Sequence, residues 1–333
     1  MHSKTGMVLA GDIGGTSARL ALFDVGADGL HAVRTETYSS RGFPGLADVV
    51  TAFVPAGSRK VVSACFGIAG PVQHGRVVTP NLPWVVDSEA LARDLKVPTV
   101  TLLNDLEANA YGIAALSPND FVTLNAGASN AVGNAAVIAV GTGLGEAGLY
   151  WDGREHRPFP CEGGHADFAP RTPLEAELFL FLKSRFDHVS SERVLSGRGL
   201  QAIYEFLRET GRGQEDPALA EEMGKKDPAA VISKAGLQGR CGMCAQALDM
   251  FAAAYGAEAG NLALKMMATG GVFIGGGVAP KIIEKLKGPS FIEAFLAKGR
   301  MQPLLANIAV RVIMQDRTAL LGAARYAARA LAQ

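Results

Sequence analysis

A two-domain α/β protein assembled from a repeated unit is what the sequence predicts, on three observations. Two glycine-rich turns of the same design, Asp12-Ile13-Gly14-Gly15-Thr16 and Gly141-Thr142-Gly143-Leu144-Gly145, each follow one short apolar run and precede another. They stand about 130 residues apart, as an internal duplication would place them. Strand-like and helical patterns alternate along the rest of the chain, and 333 residues are enough for about two sizeable cores.

Taken in order, the apolar residues 7–10 before the first turn and 18–23 after it read as the strands of a tight hairpin. Val61-Val62-Ser63-Ala64-Cys65-Phe66-Gly67-Ile68 reads as a buried strand ending at the Ala69-Gly70-Pro71 turn. Ser88 is placed to cap a helix running to about Leu95, with Glu89 in its first turn. A further strand, Thr99-Val100-Thr101-Leu102-Leu103, terminates in Asn104-Asp105, and the pattern from Leu106 to about Ala115 is helical. The second glycine turn lies between apolar residues 136–140 and 147–150, again a hairpin.

The second half is richer in helix. Residues 175–185 carry apolar side chains at 178, 179, 181 and 182, whereas 210–227 is polar and charged and reads as a surface excursion. From 245 to 267, Leu248, Phe251, Ala252, Tyr255, Ala259, Leu262 and Met266 fall along one helical face. A strand from 270 leads into a third glycine cluster, Gly275-Gly276-Gly277, followed by a helix from Lys281. A late strand at 309–313 precedes an alanine-rich helix at 319–331.

Composition excludes several classes. With 48% hydrophobic and 19% charged residues the chain is globular rather than disordered. A formal net charge of zero argues against nucleic acid or an anionic membrane as partner. Residues 1–6 lead straight into the first strand and no apolar run reaches the roughly 18 residues of a membrane span, so the expected location is the cytoplasm. Four cysteines, at 65, 161, 241 and 244, are too few for a disulfide scaffold. Cys241-Gly242-Met243-Cys244 has neither a thioredoxin-like strand before it nor a second ligand pair, and reads as small residues at a helix start.

Glycine lets the backbone take positive φ and lets a ligand come close, so successive N–H groups of such turns converge on an anion. Thr16 and Thr142 add hydroxyl donors. The common nucleotide motifs do not apply: no G-x-x-x-x-G-K-[ST] occurs, and the literal G-x-G-x-x-G at 143–148 runs into the Asp152-Gly153 turn rather than a crossover helix. The pair of turns reads as phosphate loops of strand-turn-strand type; the alternative for either turn alone is a plain β-hairpin.

These residues carry a resemblance. In order, Gly11-Asp12-Ile13-Gly14-Gly15-Thr16-Ser17-Ala18-Arg19-Leu20, Leu103-Asn104-Asp105, Gly141-Thr142-Gly143-Leu144-Gly145, Glu162-Gly163-Gly164-His165-Ala166-Asp167-Phe168-Ala169-Pro170, Ser191-Glu192-Arg193-Val194-Leu195-Ser196-Gly197 and Gly275-Gly276-Gly277-Val278 span nearly the whole chain. In that order they resemble the bacterial glucokinases, which have the two-lobed actin-like ATPase fold (sugar kinase, ribonuclease H-like). The family commonly has Asn where Ser17 stands, and the cysteine-rich zinc motif of the related repressors and kinases does not follow His165.

The resemblance implies a smaller α/β domain, 1–110 plus 313–333, and a larger α+β domain, 111–312, closing on a sugar between them. It implies ATP, Mg²⁺ and glucose as ligands, phosphorylation of the 6-hydroxyl at the entry to glycolysis, and a homodimer. Residues matching Asn104, Asp105, Glu162, His165 and Glu192 hold the hexose in that family. An ionised Asp105 at a strand end can accept the hydroxyl proton, because the loose transition state of phosphoryl transfer needs no early deprotonation; the alternative for Asp105 is a helix N-cap. The Glu162-x-x-His165 spacing raises a metal site, but the two intervening glycines oppose the helix that would align both groups. Asp12 orients Mg²⁺ through water, Gly14, Gly15 and Thr16 donate to the terminal phosphates, and Gly141, Thr142 and Gly143 contact the facing side. Gly275, Gly276 and Gly277 suit the adenosine end. Arg19 is either a phosphate contact or a strand-surface charge. A DNA-binding repressor and a filament-type ATPase are the rival readings; the first lacks a basic helix, and the second has no use for Glu162 and His165.

Overall fold

The computed structural model describes residues 6–26, 28–54 and 60–331. Residues 1–5, on which the expectation of no targeting signal rests, lie outside them, as do residues 332–333 of the expected small domain. Two compact units emerge, the chain up to Pro118 together with the part from Gln315 onward, and Asn119–Met314.

In the first unit β1 (Gly6–Ile13) and β2 (Ser17–Gly26) form the expected antiparallel hairpin, pairing Asp12 with Arg19 across the turn. β3 (Gly29–Ser39) adds antiparallel to β2. After α1 (Leu46–Phe53) comes β4 (Val61–Ile68), parallel to β1 and buried along its length. A small hairpin, β5 (Arg76–Val78) and β6 (Val85–Asp87), precedes α2 (Ser88–Leu95), β7 (Val100–Asn104) and α3 (Asp105–Ile113). The cap of α2 is Asp87, whose Oδ1 accepts the Ala90 N–H at 2.9 Å; Ser88, expected in that role, is the first helical residue. The helix α3 is continuous across residue 110, and the chain leaves this unit after Pro118.

The second unit opens with β8 (Phe121–Asn125) and then repeats the motif. β9 (Ala135–Val140) and β10 (Leu144–Trp151) form the second antiparallel hairpin, and β11 (His156–Cys161) adds antiparallel to β10. The literal G-x-G-x-x-G thus lies along a strand. Helices follow: α4 (Pro173–Lys183), α5 (Gly197–Glu209), α6 (Pro217–Lys225), α7 (Pro228–Leu237) and α8 (Gly242–Met266). α6, capped by Asp216, occupies the stretch expected to be a surface excursion; only Leu219 of it is buried, so the pattern offers little helical period. Cys241 is the N-cap of α8, its sulfur accepting the Cys244 N–H at 3.2 Å, and both thiols are free. β12 (Gly271–Gly275), the short α9 (Ile283–Leu286), α10 (Pro289–Leu296) and α11 (Gln302–Ala306), and β13 (Val310–Ile313) complete the unit.

The duplication is explicit in the strand orders. The first sheet runs β3-β2-β1-β4-β7 and the second β11-β10-β9-β12-β13-β8. In each, an antiparallel trio is followed by two strands parallel to its inner member, β4 and β7 parallel to β1 in one and β12 and β13 parallel to β9 in the other. β8, antiparallel on the far edge, is the addition. Parallel neighbours require helical crossovers, which cover the sheets and explain why β9 reads as an unbroken apolar run and β4 as one interrupted only by the buried Ser63 and by Gly67.

α12 (Thr318–Arg329) returns to the first unit and packs against α3 and β1. The two helices touch backbone to backbone: a Cβ at Gly322 would lie 1.8 Å from the Ala108 carbonyl oxygen. Only glycine permits that approach, and it fixes the helix that begins at Asp105. In the second unit the core forms around α8, with Tyr204, Phe206, Phe251, Tyr255, Phe291 and Phe295 fully buried. No helix among the described residues is long and apolar enough to cross a membrane.

Candidate active site

Parallel strands bring their C-terminal ends to one edge, where α/β sheets present ligand-binding groups. In the first unit Ile13 pairs with Ile68, and Ile68 with Asn104, so Asp12 and the Asn104-Asp105 pair reach the same edge. The Gly14 N–H donates to the Ser17 carbonyl at 2.9 Å, which closes the first turn. Thr16 and Ser17 are exposed beside it. At Ser17, where the resembling family commonly has Asn, the backbone carbonyl is what the turn uses.

Asn104 is the N-cap of α3. Its Oδ1 accepts the Leu106 N–H at 2.9 Å and its amide nitrogen donates to the Gly70 carbonyl at 3.1 Å. The Asp105 Oδ1 also accepts the Leu106 N–H at 2.9 Å, so the carboxylate shares the cap with its neighbour. Burial pushes the Asp12 carboxyl up to about 6; the charge of Asp105 adds to this, Arg19 opposes it, and Asp316 adds again. Arg19, left open between two roles by the sequence, donates to the Asp316 carbonyl at 2.8 Å and its Oδ2 at 3.2 Å.

Two negative side chains whose fields add, one of them partly starved of solvent, suit an incoming cation. No group of three or more His, Cys, Asp or Glu side chains among the described residues could hold a metal by itself. The fit is therefore to an ion such as Mg²⁺ that keeps most of its waters and arrives on phosphates, with Asp12 as one outer carboxylate.

In the second unit the Gly141 N–H donates to the Gly143 carbonyl at 2.9 Å. The turn is moored on two sides, because the Gly197 N–H donates to the Gly141 carbonyl at 3.0 Å and the Val278 N–H to the Val140 carbonyl at 3.1 Å. A cavity of about 850 Å³ opens beside it, lined by Gly141, Thr142, Ser196, Gly197, Gly277 and Lys281 among others. That volume suits a small cofactor. The first turns of α5 and α7 line the same cavity through Ser196, Gly197, Arg198, Asp227 and Pro228, and helix starts present free N–H groups to anions.

The three glycines of the third cluster separate in role. Gly275 ends β12 and is buried. Gly276 has φ +83°, and a Cβ there would lie 2.2 Å from the Val140 carbonyl oxygen, so its glycine serves packing. Gly277 faces the cavity with nothing within 4 Å of its Cβ position.

Glu162 and His165 flank a single 3-10 turn, Gly163–His165. Their side chains are each 61% exposed and 3.9 Å apart, too far for a hydrogen bond and open to a ligand. The turn is laced to the segment bearing Glu192: the Ser191 N–H donates to the Ala166 carbonyl at 2.9 Å, and His188 Nε2 lies 2.9 Å from the His165 carbonyl. Glu162, His165 and Glu192 are thereby gathered within one unit. Glu192 also reaches the second glycine turn, its Oε2 accepting the Leu144 N–H at 3.0 Å.

Sequence reasoning missed the cavity walls at 196–201, 227–238 and 281, which come from separate segments. It also missed Glu146, a buried carboxyl beneath Gly163 that burial pushes up to about 7, with Glu258 adding and Lys265 opposing. Its place immediately after the second glycine turn was the available signal.

Two glycine-turn hairpins on duplicated sheets, a strand-end carboxylate and a carboxylate-histidine turn match one class: a sugar kinase of the actin-like ATPase fold. Comparison with known proteins narrows this. The glucokinase family model matches residues 9–330. Glucokinase of Nostoc sp. is 44% identical over 342 aligned positions, covering 97% of this chain and 99% of that protein. Glucokinase of Aromatoleum aromaticum is 39% identical, covering 97% and 95%. Among solved structures, a glucokinase from an Antarctic psychrotroph superposes with a TM-score of 0.82 at 32% identity, covering 97% and 99%. A ROK family glucokinase from Streptomyces griseus, solved with glucose and AMPPNP, shares the fold at a TM-score of 0.67 and 21% identity, covering 97% and 100%. The chain belongs to the glucokinase family, whose reaction is the ATP-dependent phosphorylation of glucose.

Proposed function

We propose that this chain transfers the γ-phosphoryl group of ATP to the 6-hydroxyl of glucose, with Asp105 as the proton acceptor. The bond from the hydroxyl oxygen to phosphorus forms as the bond to the β-phosphate bridging oxygen breaks; ADP departs and the hydroxyl proton passes to Asp105. The observation that carries the assignment is the placement of Asp105 at the strand edge beside Asp12, where its charge is felt by the other carboxyl. A loose transition state asks the protein for positioning and electrostatic stabilisation, which fixed amides and carboxylates supply.

In this reading the cavity beside Gly141 and Thr142 takes the nucleotide, its adenosine end towards Gly277, and the helix starts at Ser196 and Asp227 meet the polar groups. Gly14, Gly15 and Thr16 donate to the terminal phosphates, and Gly143 completes the facing turn. Asp12 would hold a nucleotide-borne Mg²⁺ through water, and the ion would supply charge that neutralises the phosphates. Glu162, His165 and Glu192 accept from and donate to the sugar hydroxyls, and Asn104 contributes through an amide group that has two hydrogens. The same reading places the enzyme in the cytoplasm at the entry to glycolysis, and family membership suggests a homodimer, visible by light scattering as twice 34.7 kDa.

The test is ADP release by the purified protein across a panel of acceptors and donors. Release that requires both glucose and Mg²⁺ is expected. Equal ADP release with and without any hexose would contradict the reading.

A further inference from the structure

Glu192 answers two demands at once. One end of the second glycine turn, Gly141 and Thr142, lines the large cavity. The other end rests on Glu192: its Oε2 accepts the Leu144 N–H at 3.0 Å, and a Cβ at Gly143 would lie 2.4 Å from the same oxygen. Amides of such a turn are the natural donors to an anion, so this carboxylate occupies a donor and sets a negative charge beside the place a phosphate would take. The end it occupies abuts the turn bearing Glu162 and His165, where a Cβ at Gly164 would lie 2.1 Å from the Leu144 carbonyl oxygen. A hexose hydroxyl needs the same carboxylate as acceptor.

We propose that Glu192 is a positioning residue that withholds the Leu144 amide from the terminal phosphate until a hexose engages its carboxylate, so that acceptor binding raises donor affinity. The inference rests on the reading of Glu192 as a hexose ligand. Coupling of this kind is reciprocal, so the nucleotide raises glucose affinity by the same factor.

Titration calorimetry of the full chain with Mg²⁺ and a non-hydrolysable ATP analogue, with and without saturating glucose, tests it. Wild type should bind the analogue at least about fivefold more tightly when glucose is present, the lower end of typical coupling. Glu192→Gln keeps an oxygen acceptor and removes the charge; Glu192→Ala removes both. Each variant should bind the analogue more tightly than wild type without glucose, and glucose should then add less than about twofold. Weaker analogue binding by the variants would mean that Glu192 merely props the turn, and would overturn the proposal. So would wild type showing no enhancement, or variants that bind glucose weakly yet keep the wild-type enhancement. Unchanged glucose affinity in both variants would instead remove Glu192 from the hexose site, and the proposal with it.

Discussion

The two glycine turns share a hairpin and differ in where their negative charge comes from. In the first, the carboxylate belongs to the strand itself: Asp12 stands one residue pair from the turn, faces Arg19 in register and is held in a partly solvent-starved setting beside Asp105. In the second, no acid stands in the turn, and Glu192 arrives from 48 residues away to accept the Leu144 amide. The difference teaches how a duplicated unit divides labour. Under the proposed function the first turn would meet a cation whatever else is bound, whereas the second is tied to a residue assigned there to the acceptor site as well.

The largest break of that comparison is Asp12→Asn. The Asp12 carboxyl is raised from 3.8 to about 6, so the native state holds its proton more tightly than the unfolded chain does. The associated stability is complete below pH 3.8, is lost as pH rises to about 6, and is absent above it. A shift of this size is worth no more than about 3 kcal/mol. Asp12→Asn should therefore raise the stability of the ligand-free protein at pH 8 by up to that amount and leave it unchanged near pH 3.5, read by urea denaturation, while phosphorylation slows. Equal stability of variant and parent at pH 8 would mean that the charge is already compensated without ligand.

A smaller effect comes from adding one methyl group to each turn. A Cβ at Gly15 would lie 2.7 Å from Asn81 Cβ, whereas at Gly141 it meets nothing within 4 Å. Gly15→Ala should cost about 1–3 kcal/mol of stability by overpacking. Gly141→Ala should change stability by less than about 0.5 kcal/mol, as surface substitutions do, and any loss of nucleotide affinity it causes then reports ligand approach alone. If Gly141→Ala destabilised the protein as much as Gly15→Ala, the second turn would be as tightly packed as the first.

Local features were legible in the sequence. Both hairpins, the buried strand at 61–68 and the face of α8 follow from period and turn chemistry within short windows. Asp12 was legible because it stands in sequence just before the first glycine turn. The tie from Glu192 to Leu144 was not, since no spacing rule joins them. The helix α6 was missed because a segment burying only Leu219 has no apolar stripe to read, and Asp87 was passed over as a cap because Ser88 beside it is an equally good one. The cavity was illegible for another reason: its walls come from separate segments, among them the starts of α5 and α7, which serve their own helices in sequence and a ligand only in space.

The central claim is that Asp105 takes the proton of the glucose 6-hydroxyl. Asp105→Asn keeps an oxygen that can share the cap of α3 and loses the basic site, and general base catalysis is worth about 10²–10⁴ in rate. Steady-state kinetics with glucose titrated calorimetrically should show turnover falling by that factor with glucose affinity held within about threefold. Near-normal turnover in the variant would contradict the account.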